Sequence, residues 1–242
     1  GNDERWANMR DMCFQAMVRH MRFETQDARP AVLFVNGEYW GVNPVRERYD
    51  RHFLQRRVGI LNGELDLLEN NANVEEGDGN NDMSTPEHLA QVATWLDLDN
   101  MIDYYSANIF LVNADWPHNN VRFYRKRTAA YEPDAPYGQD GRWRFLMFDT
   151  DFGFLGFPGL LPSHNMMGWA TAQNGNGNGE WATRLFRTLL QNTAFRDAFI
   201  NRHADMLNTA YLPGRTGAII NGFRDLLAPD MEEHFRRWRG RP

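Results

Sequence analysis

At 242 residues, with 42% hydrophobic and 13% aromatic residues, the chain carries enough apolar material for a well-buried core and falls outside the disordered class. A net charge of −6 gives no electrostatic footprint for nucleic acid, which binds clustered positive charge, and no apolar run reaches the roughly 20 residues that span a bilayer. Cys13 is the only cysteine, which excludes an intrachain disulfide and a metal site built on cysteines.

Trp6, Met9, Cys13, Met17 and His20 recur at helical spacing, so residues 5–21 are expected to form an amphipathic helix with Cys13 as a packed thiol. Residues 31–35 and 39–45 are strand-like runs about Asn36-Gly37, a dipeptide suited to positive φ, which predicts a β-hairpin. Glu47 follows, between Arg46 and Arg48. It reads equally as a carboxylate that fixes a nucleotide-binding group, as an ion-paired Glu does in kinases, or as one arm of a structural salt bridge. Residues 69–85 are dense in Asn, Gly, Asp and Glu. Such a stretch could wrap Ca²⁺, but the spacing does not fit the EF-hand loop, and a mobile acidic loop is the expectation.

Ser84-Thr85-Pro86 predicts a helix start, with the helix running to about Leu96. Asp99 is expected to cap the next helix, in which Ile102, Tyr105, Ile109 and Val112 share one face and whose far end delivers Asp115. Pro117 disfavours helical geometry at Trp116 and so supports an end there. Residues 121–126 and 143–148 read as two strands joined by a polar loop. Beyond them, residues 153–162 are apolar and glycine-rich, consistent with a lid or substrate-side loop, and the alternating Asn and Gly of 174–179 predict a linker. The last third is expected to be a helical scaffold. Trp181, Leu185, Phe186 and Leu189 define one apolar face; Phe195, Phe199, Ala204 and Leu207 a second; Ile219, Ile220, Phe223 and Leu227 a third.

The chemistry concentrates in two segments. Asp115 precedes Asn120 by the spacing of a kinase catalytic loop, though without the usual His-Arg ahead of the Asp, and Asp151-Phe152-Gly153 follows the aromatic run that ends at Phe148. Phosphoryl transfer needs one carboxylate to orient the attacking hydroxyl and hard oxygen ligands to hold Mg²⁺ against a triphosphate. Asp115, Asn120, Asp149 and Asp151 supply that set, and Asp149 and Asp151 stand at the end of a strand, where a rigid support projects them into a cleft. The competing reading of Asp149-Thr150-Asp151 beside Gly153 is a surface turn. Metal-dependent phosphate-ester hydrolysis would also use paired Asp residues, but it gives the Asp-to-Asn spacing no meaning.

Several runs also resemble the CotH family, named for a spore coat protein. They are Val35-Asn36-Gly37-Glu38-Tyr39-Trp40-Gly41-Val42, Arg46-Glu47-Arg48-Tyr49-Asp50, Asp99-Asn100-Met101-Ile102-Asp103-Tyr104-Tyr105, Asn113-Ala114-Asp115-Trp116-Pro117-His118-Asn119-Asn120, and Trp143 through Gly153. That family is similar to protein kinases in its core and uses ATP with a divalent metal to phosphorylate protein Ser or Thr. The resemblance implies an α+β, protein kinase-like (CotH-type) core with a β-hairpin near the N-terminus, a small central antiparallel sheet and a mainly helical C-terminal region. It implies Asp115 as the catalytic carboxylate; Asp151, Asn120 and Asp149 as metal-site residues, with Mg²⁺ or Mn²⁺; Glu47 and Asn120 as cofactor-binding residues, with ATP; and a protein substrate with a Ser/Thr acceptor. One domain is expected over 1–242, divided into a helix-plus-hairpin region (1–68), a catalytic and metal-binding region (86–155) and a helical region (156–242).

The family pattern places a glycine-containing phosphate loop and a nucleotide-binding Lys ahead of Gly1. The chain's single lysine is Lys126, every other basic residue among the 26 being Arg, and the chain is expected to be an excised piece of a longer polypeptide. A catalytically silent binding or surface-attached module is the alternative. Extracellular or cell-envelope placement is compatible with either reading.

Overall fold

The computed structural model describes residues 9–61, 63–69, 84–154, 161, 163–173 and 180–238. Trp6, nearly all of the acidic loop, most of the glycine-rich segment and the Asn-Gly run lie outside them.

The first helix, α1 (Arg10–Val18), ends before His20, which lies exposed with its Nδ1 3.4 Å from Arg215 Nη2. It is not amphipathic: Asp11, Met12, Cys13, Phe14, Gln15, Met17 and Val18 are all buried. A helix buried around its circumference runs through a core rather than over it. The hairpin forms as expected, with β1 (Ala28–Val35) and β2 (Glu38–Arg46) antiparallel and Val35 opposite Glu38. Asn36 and Gly37 take the positive φ values of 51° and 83° that a two-residue turn demands.

Two elements had no periodic signal. Asp50 caps α2 (Arg51–Val58) by accepting from the His52 and Phe53 N–H groups at 2.9 Å, and Gly59 ends it in left-handed geometry. β3 (Leu65–Glu69) then joins the expected strand pair, so the central antiparallel sheet has three strands.

α3 (Pro86–Val92) is capped by Thr85 and stops short of Leu96. α4 (Leu98–Phe110) is capped by Asp97, whose side chain accepts from Asn100 N at 3.1 Å. Asp99, the expected cap, is instead exposed and ion-paired with Arg22. Asn100 through Ile109 are all buried, and the polar members are satisfied. Asp103 accepts from Arg202 at 2.6 and 2.9 Å and from Arg22 N at 2.8 Å, while Asn100 bonds the backbone of Phe145 and Arg22. β4 (Arg122–Lys126) pairs with β3 from Leu65↔Lys126 to Glu69↔Arg122, and with β5 (Arg144–Leu146) from Arg122↔Leu146 to Tyr124↔Arg144. β5 is shorter than the run 143–148 because Met147 leaves the ladder and donates its N–H to Glu24 O.

The helical region follows as α5 (Met166–Thr171), α6 (Glu180–Leu189), α7 (Thr193–Leu207) and α8 (Pro213–Trp238). Its third face, with Ile219, Ile220, Phe223 and Leu227, turns inward as expected, whereas the first two differ in part. Phe186 and Leu189 are fully buried, but Trp181 (48%) and Leu185 (38%) are exposed; in α7, Met206 takes the buried place expected of Leu207. The main core gathers around α4, where Tyr105 stacks on Phe186 (4.1 Å) and Tyr104 on Phe145 (4.7 Å). A second, smaller core joins Tyr49, Phe53, Leu54 and Val58 to Tyr124 and Leu146 of the sheet.

Candidate active site

The loop after α4 begins with a reversal. Val112 adopts φ 51°, Asn113 N donates to Asn108 O at 3.1 Å, and Asn113 Nδ2 to Asn108 Oδ1 at 2.9 Å, which turns the chain off the helix end. The next anchor is Trp116, 1% exposed, whose ring meets Tyr105 edge-on (4.8 Å) and whose carbonyl accepts from Trp169 Nε1. The peptide bond to Pro117 is cis. Packing of so large a buried ring fixes the backbone on which Asp115 stands.

Asp115 Oδ2 accepts from Asn120 Nδ2 at 2.9 Å and from Asn119 Nδ2 at 3.2 Å. Asn120 is buried, and its Nδ2 also lies 3.5 Å from the Asp149 carbonyl. Both Asn120 (φ 56°) and Asp149 (φ 48°) are left-handed. Non-glycine residues in that region store strain, and such strain clusters at functional sites.

The Asp149-to-Phe154 turn is clamped from three sides. Asp11 of α1 accepts from Thr150 N (2.9 Å) and Thr150 Oγ1 (3.0 Å) and lies 2.9 Å from Arg46 Nη1. Arg10 Nη1 donates to Asp151 O at 3.1 Å. Phe154 N donates to Leu111 O, and the Phe154 ring meets Phe14 edge-on at 4.9 Å. Upstream, the Tyr49 hydroxyl sits 2.7 Å from Met147 O and 2.8 Å from Glu24 O, fixing the strand exit. Burial pushes the Asp149 carboxyl above the usual range; the Asp11 charge adds to this, Arg46 opposes it, and Asp115 adds further.

Asp115, Asn120 and the backbone of Asp149 are therefore brought together, and Asp151 follows Asp149 by two residues in the same turn. Glu47 is held elsewhere: it pairs with Arg56 (2.7 Å) and Arg57 (2.9 Å) and accepts from Asp27 N at 3.0 Å. Burial alone would raise its carboxyl, but the Asp27 N–H and the two guanidinium groups outweigh that and leave it below the usual range. Lys126 lies on the sheet, 3.9 Å from Glu64. Asp11 and Arg46 escaped the sequence reading. The available signal was Asp11 and Gln15, polar residues one helical turn apart in an otherwise apolar helix; their partners Thr150 and Met147 are more than 130 residues away.

Among the described residues no three His, Cys, Asp or Glu side chains gather into a metal cluster, and no described helix is long and apolar enough to cross a membrane. Mg²⁺ does not require such a cluster, since it commonly takes one or two carboxylates and completes its shell with phosphate and water. Asp149, Asp151 and the Asn120 amide oxygen are donors of the right hardness, and the carboxylates of Asp11, Asp115 and Asp149 leave local negative charge that Arg46 only partly offsets.

Fold and site together define a mixed α+β protein in which the loop after a buried helix brings an Asp–Asn pair to an Asp-Thr-Asp turn at the end of a small central sheet. The family described as CotH kinase protein matches residues 1–87 and 74–242, and the chain belongs to it. No curated protein matches the chain.

Proposed function

We propose that the chain is an ATP- and divalent-metal-dependent protein kinase that transfers the γ-phosphoryl group to a Ser or Thr hydroxyl. The observation that carries this reading is Asn120: one amide nitrogen bonds Asp115 at 2.9 Å and reaches the Asp149 carbonyl at 3.5 Å, tying the candidate base to the candidate metal turn. With Asn119 and Asn120 both on Oδ2, Asp115 offers Oδ1 to the acceptor hydroxyl and orients it for attack. Asp151, Asp149 and the Asn120 amide oxygen would hold Mg²⁺ or Mn²⁺, which when bound neutralises charge on the phosphates. Glu47 would act at one remove, keeping Arg56 and Arg57 in place.

The test is transfer from γ-labelled ATP to casein and to the chain itself, with phosphoamino-acid analysis. Label on Ser or Thr that requires metal and is lost in Asp151→Asn is expected. No label above background with either metal would overturn the reading. A second reading, a silent binding or surface-attached module, is favoured by the arginine partners of Glu47 and the placement of Lys126 on the sheet; it predicts a folded chain with no transfer.

A further inference from the structure

Trp181 and Leu185, which the helical pattern of α6 would turn into the core, are exposed, and both border an apolar groove. Leu185 lines a hollow of about 440 Å³ between α3, α6 and the sheet. Every described lining residue of that hollow is apolar, among them Leu68, Trp95, Phe123 and Trp143. A smaller hollow of about 170 Å³ adjoins it, with Phe123, Phe145 and Leu185 as a shared wall, and is bounded beyond them by Trp181, Trp116 and Pro117. Leu68 and Trp95 at the outer end are exposed as well. A contiguous apolar patch of this kind on a folded chain marks a contact surface.

The walls are set before a ligand arrives. Phe123 meets Trp143 (5.7 Å) and Phe145 (6.0 Å) edge-on, Trp116 lies edge-on to Tyr105, and Trp95 O accepts from Trp143 N at 2.7 Å. Side chains already fixed by such packing lose little freedom when another apolar group is buried among them.

The inner end of the groove is built from the candidate catalytic loop itself. Trp116 follows Asp115 and Val121 follows Asn120, and both line the smaller hollow. The 2.9 Å bond from Asn120 Nδ2 to Asp115 Oδ2 closes the neck of the loop between them. The two wall residues are thus each one Cα step, about 3.8 Å, from a member of the bonded pair, and an extended polypeptide advances about 3.3 Å per residue. A polypeptide whose hydroxyl meets Asp115 therefore brings a side chain roughly two to four residues away to the groove.

We propose that the groove receives a bulky apolar side chain of the acceptor polypeptide, an aromatic or large aliphatic residue about two to four positions from the Ser or Thr, and that Trp181 and Leu185 determine this preference. A wholly apolar hollow penalises a charged or amide side chain, which would lose water without gaining a partner. The inference rests on the kinase reading for the acceptor hydroxyl, but it can fail separately from it.

The test uses otherwise identical Ser peptides in which a single Phe is moved from four residues before the Ser to four after it, against the parent peptide with Ala throughout. Each is titrated calorimetrically into the intact 242-residue chain, into Trp181→Ala/Leu185→Ala and into Trp95→Ala, and transfer from γ-labelled ATP is followed in parallel. The substituted side chains are exposed, so both variants should keep their melting temperature. One or more Phe positions should tighten binding by about tenfold or more, and that advantage should be lost in the double variant and reduced in Trp95→Ala. Equal binding of all the peptides, or an advantage that survives in both variants, overturns the groove assignment even if Ser is phosphorylated. A groove-dependent Phe advantage without transfer to any peptide would instead sink the kinase reading and leave the groove as a polypeptide site.

Discussion

At Gly153 an added Cβ would lie 2.8 Å from the Phe14 ring and 3.0 Å from the Leu111 carbonyl. Glycine is required there by the close approach of α1 and the end of α4 to the Asp151 turn. Gly153→Ala is expected to cost roughly 1–3 kcal/mol through overpacking, seen as a lower urea midpoint, and to displace the turn. An unchanged midpoint would show that the turn yields without cost. Asp149 offers a test of charge. Its carboxyl is raised in the folded state, so the folded chain favours the protonated form, and ionisation at neutral pH works against folding. Asp149→Asn is therefore expected to raise the melting temperature at pH 7, with the gain shrinking as pH falls toward the ordinary carboxylate range. A gain that persists at low pH would point to packing rather than charge.

Among the elements, β5 owes its position to a buried ion network. Arg144, 1% exposed, bonds Asp140 at 2.8 and 2.6 Å and lies 2.8 Å from Asp97, the cap of α4. Burial would raise the Asp140 carboxyl, but Arg144 and Arg142 outweigh it and hold it at about 2. The stabilisation this brings is complete above pH about 4 and is lost as pH falls toward 2. Arg144→Leu, which leaves the buried Asp97 and Asp140 with Arg142 as their remaining guanidinium partner, is expected to cost about 3 kcal/mol in denaturant unfolding, the lower end for a broken buried pair; a loss below about 1 kcal/mol would contradict the network's role.

The elements legible in the sequence were those with local signals: the Asn36-Gly37 turn, the Thr85-Pro86 start, and the helix leading to Asp115. α2 is bounded by Asp50 and Gly59, a cap pair that periodicity does not register in so short a helix. The buried circumference of α4 blurred its one-face pattern and made Asp99 look like the cap that Asp97 provides. Asp115 and Asn120 could be paired from spacing alone. Asp11 could not, because its partner Thr150 is distant in sequence and the contact is created only by the fold.

Across the whole molecule, the hairpin is seated on the C-terminal helix. Val42 N donates to His234 Nδ1 at 3.0 Å, Trp238 Nε1 donates to Trp40 O at 3.0 Å, and Arg237 lies 4.6 Å over the Trp40 ring. Gly41, at φ 107°, makes room for this: a Cβ would lie 2.7 Å from Trp238 Nε1 and 2.9 Å from His234 Nδ1. Because β2 ends at Arg46, which pairs with Asp11, and Asp11 in turn accepts from Thr150, a chain of contacts runs from the hairpin to the Asp149–Asp151 turn. Gly41→Val is expected to cost at least about 2 kcal/mol and to raise amide hydrogen exchange throughout β1 and β2. Exchange that stays at the parent rate would show that α8 does not hold the hairpin.

Phosphoryl transfer by this chain turns on Asp115 in the proposed reaction, which single-turnover transfer from Mg-ATP to a protein acceptor by the parent chain and by Asp115→Asn puts to the test. A rate lower by about 10²–10⁴ with ATP affinity unchanged is predicted, whereas equal transfer rates in the two proteins would contradict it.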